Sequence, residues 1–214
     1  MIALIDYGAG NLTSVKKALT ALGADFAVPA TPDQCEGAAG LIVPGVGHFS
    51  STLALDAPWR DTIGRLVRGG TPLLGICVGM QWLFTGSEEA PAVPGLGALE
   101  GRCRLLRGDT ERRLKIPHVG WNALDLGGAS EGRLLAGIQP GAFVYFTHSF
   151  AAPVTADCIA STTHAEPFAA AVERDNVFGV QFHPEKSGEA GLQILRNFLA
   201  LSLPRRSGAK AGLC

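Results

Sequence analysis

Two glycines stand two residues either side of a cysteine in Leu73-Leu74-Gly75-Ile76-Cys77-Val78-Gly79-Met80-Gln81, and this constrains the chain more than any other stretch. The apolar run Leu73–Ile76 suits a buried strand and is too short for a helix. From Val78 to Phe84 the residues read as the start of a helix. A strand that turns sharply into a helix at one reactive residue is a nucleophile elbow, which lifts that side chain clear of the backbone. Glycines are needed there because a Cβ would clash in the tight turn. A helix N-terminus beneath the sulfur would favour its thiolate. Taken alone, the pattern also fits a buried cysteine acting as a small core hydrophobe. A base and an orienting acid elsewhere in the chain decide between the two.

A chain of 214 residues with 47% hydrophobic residues can bury the core of one domain. A net charge of -1 offers nothing to nucleic acid, and no stretch approaches a membrane span. The first residues run straight into the apolar Ile2-Ala3-Leu4-Ile5, a strand rather than a signal peptide. Five cysteines without a CxxC pair argue for a reducing cytoplasm and against a disulfide framework or a zinc site.

After the first strand, Asp6-Tyr7-Gly8-Ala9-Gly10-Asn11 is a glycine-rich turn into a helix carrying Leu12, Val15, Leu19 and Leu22, with Asn11 as N-cap and Gly23 as stop. It lacks a dinucleotide fingerprint or a Walker lysine, so it reads as a tight turn whose exposed Tyr7 and Asn11 are available to a partner. Phe26–Val28 and Gly40–Val43 are further strands. The second ends in Pro44-Gly45-Val46-Gly47, a loop able to present bare N–H groups at the carboxyl edge of a sheet. Residues 58–69 form a helix, and the polar Ser87-Glu88-Glu89 reads as a solvated helix end. Leu99–Lys115 reads as a basic, solvated hairpin or a docking surface for an acidic partner. Strands follow at Phe143–Phe146 and through residues 157–182, with a last helix from Ser187 to just before Pro204. The tail from Arg205 has little to bury.

His183 stands, like Cys77, at the carboxyl end of a buried strand, so both reach one sheet edge. Glu185 lies two residues on, on the same side of an extended chain, where it can accept the second ring N–H and fix the tautomer. His118 and His148 lack a close acid and read as structural or peripheral. Cys77, His183 and Glu185 thus read as a nucleophilic triad rather than a coincidence of core residues.

These motifs, Gly75–Gln81 with His183-Pro184-Glu185, resemble the class I glutamine amidotransferases over nearly the whole chain. Asp6–Leu12, Pro44–Gly47, Pro117–Asn122 and His183–Ser187 are similar, within that class, to the glutaminase subunits of imidazole glycerol phosphate synthase in histidine biosynthesis. The resemblance implies an α/β fold: three layers, a mostly parallel, twisted, open flavodoxin-like sheet with helices on both faces, and an added small antiparallel sheet. This domain would span 1–203, with a disordered tail over 204–214. It implies that the Cys77 thiolate attacks the carboxamide of L-glutamine, that the N–H groups of Val78 and of Val46 or Gly47 hold the oxyanion, and that His183, oriented by Glu185, moves the protons. It further implies that Gln81 and Glu89 hold the α-amino and α-carboxylate ends of glutamine, aided by the backbone of His148, Ser149 and Phe150. No cofactor is called for. The acceptor site must lie on another polypeptide, by resemblance a (β/α)8-barrel cyclase subunit forming a heterodimer, with Asn11, Trp121, Tyr145 and Lys186 as interface candidates. Glycines on both sides of Val46 make a peptide flip inexpensive, so the expectation is that the isolated chain rests with a carbonyl at the oxyanion position. His48 and Phe150 depart from the residues common in the family. Rival readings are a glutaminase serving anthranilate or pyridoxal phosphate synthesis, a cysteine peptidase or γ-glutamyl hydrolase, and a non-catalytic subunit.

Overall fold

In the computed structural model, which describes residues 1–127 and 132–203, the apolar runs of the sequence become the central strands of one sheet. In chain order the strands are β1 (Ile2–Leu4), β2 (Phe26–Ala27), β3 (Gly40–Val43), β4 (Leu73–Ile76), β5 (Arg104–Leu105), β6 (His118–Ala123), β7 (Phe143–His148), β8 (Phe150–Ala151), β9 (Cys158–His164), β10 (Glu166–Arg174) and β11 (Val177–Val180). The helices are α1 (Leu12–Ala21), α2 (Ala57–Arg68), α3 (Val78–Leu83) and α4 (Gly188–Leu201). The seven-stranded sheet runs β2-β1-β3-β4-β11-β10-β9, parallel from β2 through β11 and antiparallel beyond.

Every residue of β1, β3, β4 and β11 is buried, as strands covered on both faces must be. The crossover through α1 leads outward to β2, while that through α2 leads the other way, from β3 to β4. Right-handed crossovers in opposite directions put the two helices on opposite faces. Local chemistry sets the ends of α2: the Asp56 carboxylate accepts from Trp59 N at 3.3 Å, Pro58 occupies the first turn, and Gly69 follows the last.

The expected mostly parallel sheet is present, with the added antiparallel structure as two two-stranded ribbons, β5–β8 and β6–β7, apart from the main sheet, which itself ends in the antiparallel β10 and β9. Two other expectations need correction. The basic stretch Leu99–Lys115 forms only β5 and a turn bridged between Asp109 and Leu114. Its Arg102 is spent on the carbonyls of Ser87 and Pro91 at 2.9 and 2.7 Å. Tyr7 is buried rather than exposed. The expected tail at 204–214 lies outside the described residues.

Candidate active site

Four loops meet at the carboxyl edge of the parallel strands: Tyr7–Asn11 after β1, Pro44–Gly47 after β3, Cys77 after β4, and Gln181–Glu185 after β11. Cys77 has φ 54° and ψ -110°, a conformation that costs an L residue on the order of 1–3 kcal/mol. The strain is held by hydrogen bonds from Cys77 N to the Val180 carbonyl at 2.8 Å and from Gln81 N to the Cys77 carbonyl at 3.0 Å. The flanking glycines are obligatory: a Cβ on Gly79 would lie 1.8 Å from the Val43 carbonyl oxygen, and one on Gly75 would lie 2.5 Å from that of Gly79. Because α3 is only six residues long, it adds local N–H groups near the sulfur rather than the field of a long helix.

His183 and Glu185 are both fully buried, with Nδ1 to Oε1 at 2.8 Å. They meet through a 3-10 turn over Pro184–Lys186, not the extended chain that the spacing suggested. His183 Nε2 has no partner of full hydrogen-bond geometry and is left for Cys77. Burial opposes the imidazolium, but the Cys77 and Glu185 side chains outweigh it and raise the His183 pKa to about 9. At neutral pH the ring beside the sulfur is thus held as an imidazolium.

Asn11 corrects one expectation. It sits at the N-cap position in a left-handed conformation, φ 58°, yet makes no side-chain cap. Its Nδ2 instead donates to Glu185 Oε1 and lies 3.3 Å from His183 Nδ1, which ties the side chain to the dyad.

The oxyanion donors are not assembled. The Gly45–Val46 peptide turns its carbonyl toward Val78 N, at 3.4 Å, and its own N–H to the Ala9 carbonyl, at 2.8 Å. Val46 therefore offers no donor in this conformation, and that of Val78 is engaged. Gly45 admits no side chain, since a Cβ would meet the Tyr7 hydroxyl at 2.1 Å. His48 caps the next turn by accepting from Ser50 N at 3.2 Å.

A narrow cleft of about 40 Å³ is lined by Gly47, Cys77, Val78, Gln81, Glu89, Thr147, His148, Ser149 and Phe150, which brings together the expected glutamine-binding residues. Glu89 accepts from Phe49 N at 2.7 Å, so it belongs to the cleft and is no solvated helix end. Gln81 Nε2 donates to the Phe150 carbonyl at 2.8 Å and to Gln181 Oε1 at 3.1 Å. Both amide hydrogens being spent, Gln81 faces a ligand only through Oε1, an acceptor. Two acceptors, Gln81 and Glu89, suit an α-ammonium. A carboxylate needs donors, which the backbone N–H groups of the Ser149–Phe150 segment can supply. A larger cavity, about 1040 Å³, lies on another part of the surface near Pro72, Asn176 and Ser202, and contains neither Cys77 nor His183.

His118 and His148 are more than peripheral. His118 Nδ1 lies 3.1 Å from His148 Nε2, and His148 Nδ1 lies 2.9 Å from the Phe150 carbonyl. Burial holds both neutral, lowering their pKa values to about 4 and about 3. Of the interface candidates, Trp121 is 53% exposed, its ring 6.0 Å from that of Tyr145, which Lys186 Nζ approaches at 5.9 Å. Val119 and Phe143 extend this exposed patch on the β6–β7 ribbon. Sequence reasoning missed Gln181, fully buried with Nε2 3.6 Å from Cys77 Sγ. The available signal was a lone amide closing an otherwise apolar strand, two residues before His183.

Comparison with known proteins shows the family. The family model "Glutamine amidotransferase class-I" matches residues 3–201. Proteins named imidazole glycerol phosphate synthase subunit HisH are similar over nearly their full length. That of Gloeobacter violaceus is 45% identical, covering 100% of this chain and 95% of the relative. That of Methanothermobacter thermautotrophicus is 43% identical (94% and 98%), and that of Caulobacter vibrioides 46% (92% and 97%). Among solved structures, a glutamine amidotransferase superposes with a TM-score of 0.71 at 21% identity, covering 94% of this chain and 98% of that one. PurLQS from Thermotoga maritima superposes with a TM-score of 0.70 at 20% identity, covering 93% and 97%. Both likenesses are of fold.

Proposed function

The chain belongs to the class I glutamine amidotransferases, and from that premise we propose that it is the glutaminase subunit of an imidazole glycerol phosphate synthase. It hydrolyses glutamine to glutamate and ammonia, and the ammonia is used in histidine biosynthesis. Full-length similarity to subunits of that name supports the pathway. The observation that carries the chemistry is the buried His183–Glu185 pair whose free Nε2 is left for a cysteine on a strained elbow.

In our reading the Cys77 thiolate attacks Cδ of the glutamine side chain, and the carbonyl π pair moves onto oxygen. Collapse of the tetrahedral adduct expels the amine, which takes the His183 Nε2 proton and leaves as ammonia. A water then gives its proton to the neutral imidazole and attacks the γ-glutamyl thioester, releasing glutamate and the sulfur. Glu185 and Asn11 hold the imidazole throughout. The substrate α-ammonium lies between Gln81 and Glu89, and the backbone of His148, Ser149 and Phe150 takes its carboxylate end.

Turnover needs the Gly45–Val46 peptide to turn over, which frees Val78 N–H and brings in the Val46 N–H beside Gly47. The cost is the bond to the Ala9 carbonyl. A docked partner is the natural source of that energy, and docking also keeps ammonia from becoming ammonium in water. We assign this role to a cyclase subunit with a (β/α)8 barrel, bound as a heterodimer over Trp121, Tyr145 and Lys186, with Asn11 behind them at the dyad. No described helix is long and apolar enough to cross a membrane. The four described cysteines are free thiols, which suits the cytoplasm, where we place the reaction.

Glutamine hydrolysis measured alone, with the barrel cyclase, and with an anthranilate synthase large subunit tests the reading. Stimulation by the cyclase alone, abolished in Cys77→Ala, is expected. Full activity of the isolated chain refutes the peptide turn, and stimulation by the other synthase refutes the assigned pathway.

A further inference from the structure

Directly after β11 comes Gln181, a primary amide with no exposed surface. Burying an amide is costly unless its donors and acceptor are met. Here the acceptor and one donor hydrogen are met by a chain of groups that ends on the sulfur. Gln181 Nε2 donates to Cys77 Sγ at 3.6 Å, and Gln181 Oε1 accepts from Gln81 Nε2 at 3.1 Å. Gln81 Nε2 gives its other hydrogen to the Phe150 carbonyl at 2.8 Å. The same carbonyl accepts from His148 Nδ1 at 2.9 Å, and His148 Nε2 accepts from His118 Nδ1 at 3.1 Å. Asn122 Nδ2, 3.4 Å from His118 Nε2, closes the far end.

The direction of this chain is decided at Phe150, because a carbonyl oxygen only accepts. Gln81 must present its nitrogen there. Its remaining hydrogen then meets Gln181 Oε1, which leaves Gln181 to present its nitrogen to sulfur. Turning Gln81 over would set oxygen against oxygen, and turning Gln181 over would set N–H against N–H at Gln81 and oxygen against sulfur at Cys77. The neutral state of His118 and His148 fits, since each ring donates at one nitrogen and accepts at the other.

We propose that Gln181 is a further catalytic residue, whose amide N–H donates to Cys77 Sγ and stabilises the thiolate. Gln81, His148 and His118 act through it as positioning residues, besides any contact with substrate. A hydrogen bond to an ionised acceptor is about twice as strong as one to a neutral acceptor, so the donor favours thiolate over both thiol and thioester. It also keeps the sulfur supplied with a donor after His183 has given its proton to ammonia. The ionisable groups around the sulfur are His183, with Glu185 behind it, Tyr7 from the loop after β1, and Glu89 and His148 in the cleft. The inference rests on the reading of Cys77 as the nucleophile.

Alkylation of Cys77 by iodoacetamide, followed by mass spectrometry on the full chain from about pH 5 to 10, tests it. In Gln181→Met, of similar length but with no donor, the midpoint should move up by about one pH unit, a tenfold change. Alkylation at neutral pH should fall about tenfold and recover at alkaline pH. In the wild-type chain with 15N-labelled glutamine, the Gln181 side-chain amide protons should titrate with the alkylation midpoint and cease to do so in Cys77→Ala. An unchanged midpoint in a folded Gln181→Met overturns the proposal, as does a Gln181 amide indifferent to Cys77. Should Gln181→Met not fold, the wild-type resonance decides by itself. A wild-type Cys77 that resists alkylation at every pH overturns the nucleophile reading, and this inference with it.

Discussion

Replacing Glu185 with Gln separates the charge of the dyad from its geometry, and Asn11 is the reason it can. Glu185 Oε1 accepts from His183 Nδ1 at 2.8 Å and also from Asn11 Nδ2. A carboxamide at this position is held by Asn11 with its oxygen inward, so it still accepts the Nδ1 proton and preserves the tautomer. What is lost is the ionic character of the bond. Hydrogen bonds to ions contribute ~1.5–3 kcal/mol and neutral ones ~0.5–1.5 kcal/mol. The difference, about 1–2 kcal/mol, corresponds to a fall in kcat/KM of about 5- to 30-fold. If the amide nitrogen turned toward Nδ1 the wrong tautomer would form, and the loss would approach ~10⁴, as in a serine triad. Asn11→Ala combined with Glu185→Gln removes that restraint and should fall well below the product of the single effects. Glutamate release by the complex, coupled to glutamate dehydrogenase, gives the rates. The His183 pKa, about 9 in the native chain, should drop once Glu185 no longer opposes desolvation, so the alkaline limb of the rate profile moves to lower pH. A loss near ~10⁴ in the single variant, with nothing added by Asn11→Ala, would refute this account of Asn11.

Gly79→Ala drives a methyl to 1.8 Å from a backbone oxygen of β3 and should cost more than ~3 kcal/mol, read as a collapse of the urea midpoint. Trp121→Ala should leave the melting temperature of the isolated chain nearly unchanged, because the ring is half exposed, while weakening cyclase binding about 30-fold by calorimetry. Below pH 6.5 stability should decline, because His118 and His148 take up protons in the unfolded chain well before they do so in the native one, down to about pH 4 and about pH 3. His183 has the opposite sign: its raised pKa contributes stability that is complete below about 6.5 and lost as pH rises through about 9. A melting temperature that holds level from pH 6.5 to 4 would contradict the buried neutral state of the two histidines.

The elbow was legible because its information is local. Gly75 and Gly79 are small for the same reason that Cys77 is strained, and a short apolar run before a cysteine needs no distant residue to be read as a strand. The pairing of Cys77 with His183 was legible at one remove, since two buried strands in one parallel sheet put their carboxyl ends on one edge. Asn11 was read as a helix cap because its neighbours in sequence suggest one, whereas its partners lie more than 170 residues away. Tyr7 was read as exposed because aromatic residues in glycine-rich turns usually are, and the closeness of Gly45 was not visible. Gln181 carries no local signal of its partner, because Cys77 lies more than 100 residues away in sequence.

From the order of residues alone come the reactive types, the strands that carry them, and the glycines that let the backbone bend at Cys77. These depend on φ, ψ and periodicity, which a few consecutive residues settle. Packing alone decides that the Gly45–Val46 peptide rests carbonyl-inward, that Asn11 holds the dyad, and that a train of amides and neutral histidines aims one N–H at the sulfur. A hydrogen-bonding group takes its direction from whatever partner folding brings within about 3 Å of it, and those partners come from strands and loops far apart in the chain.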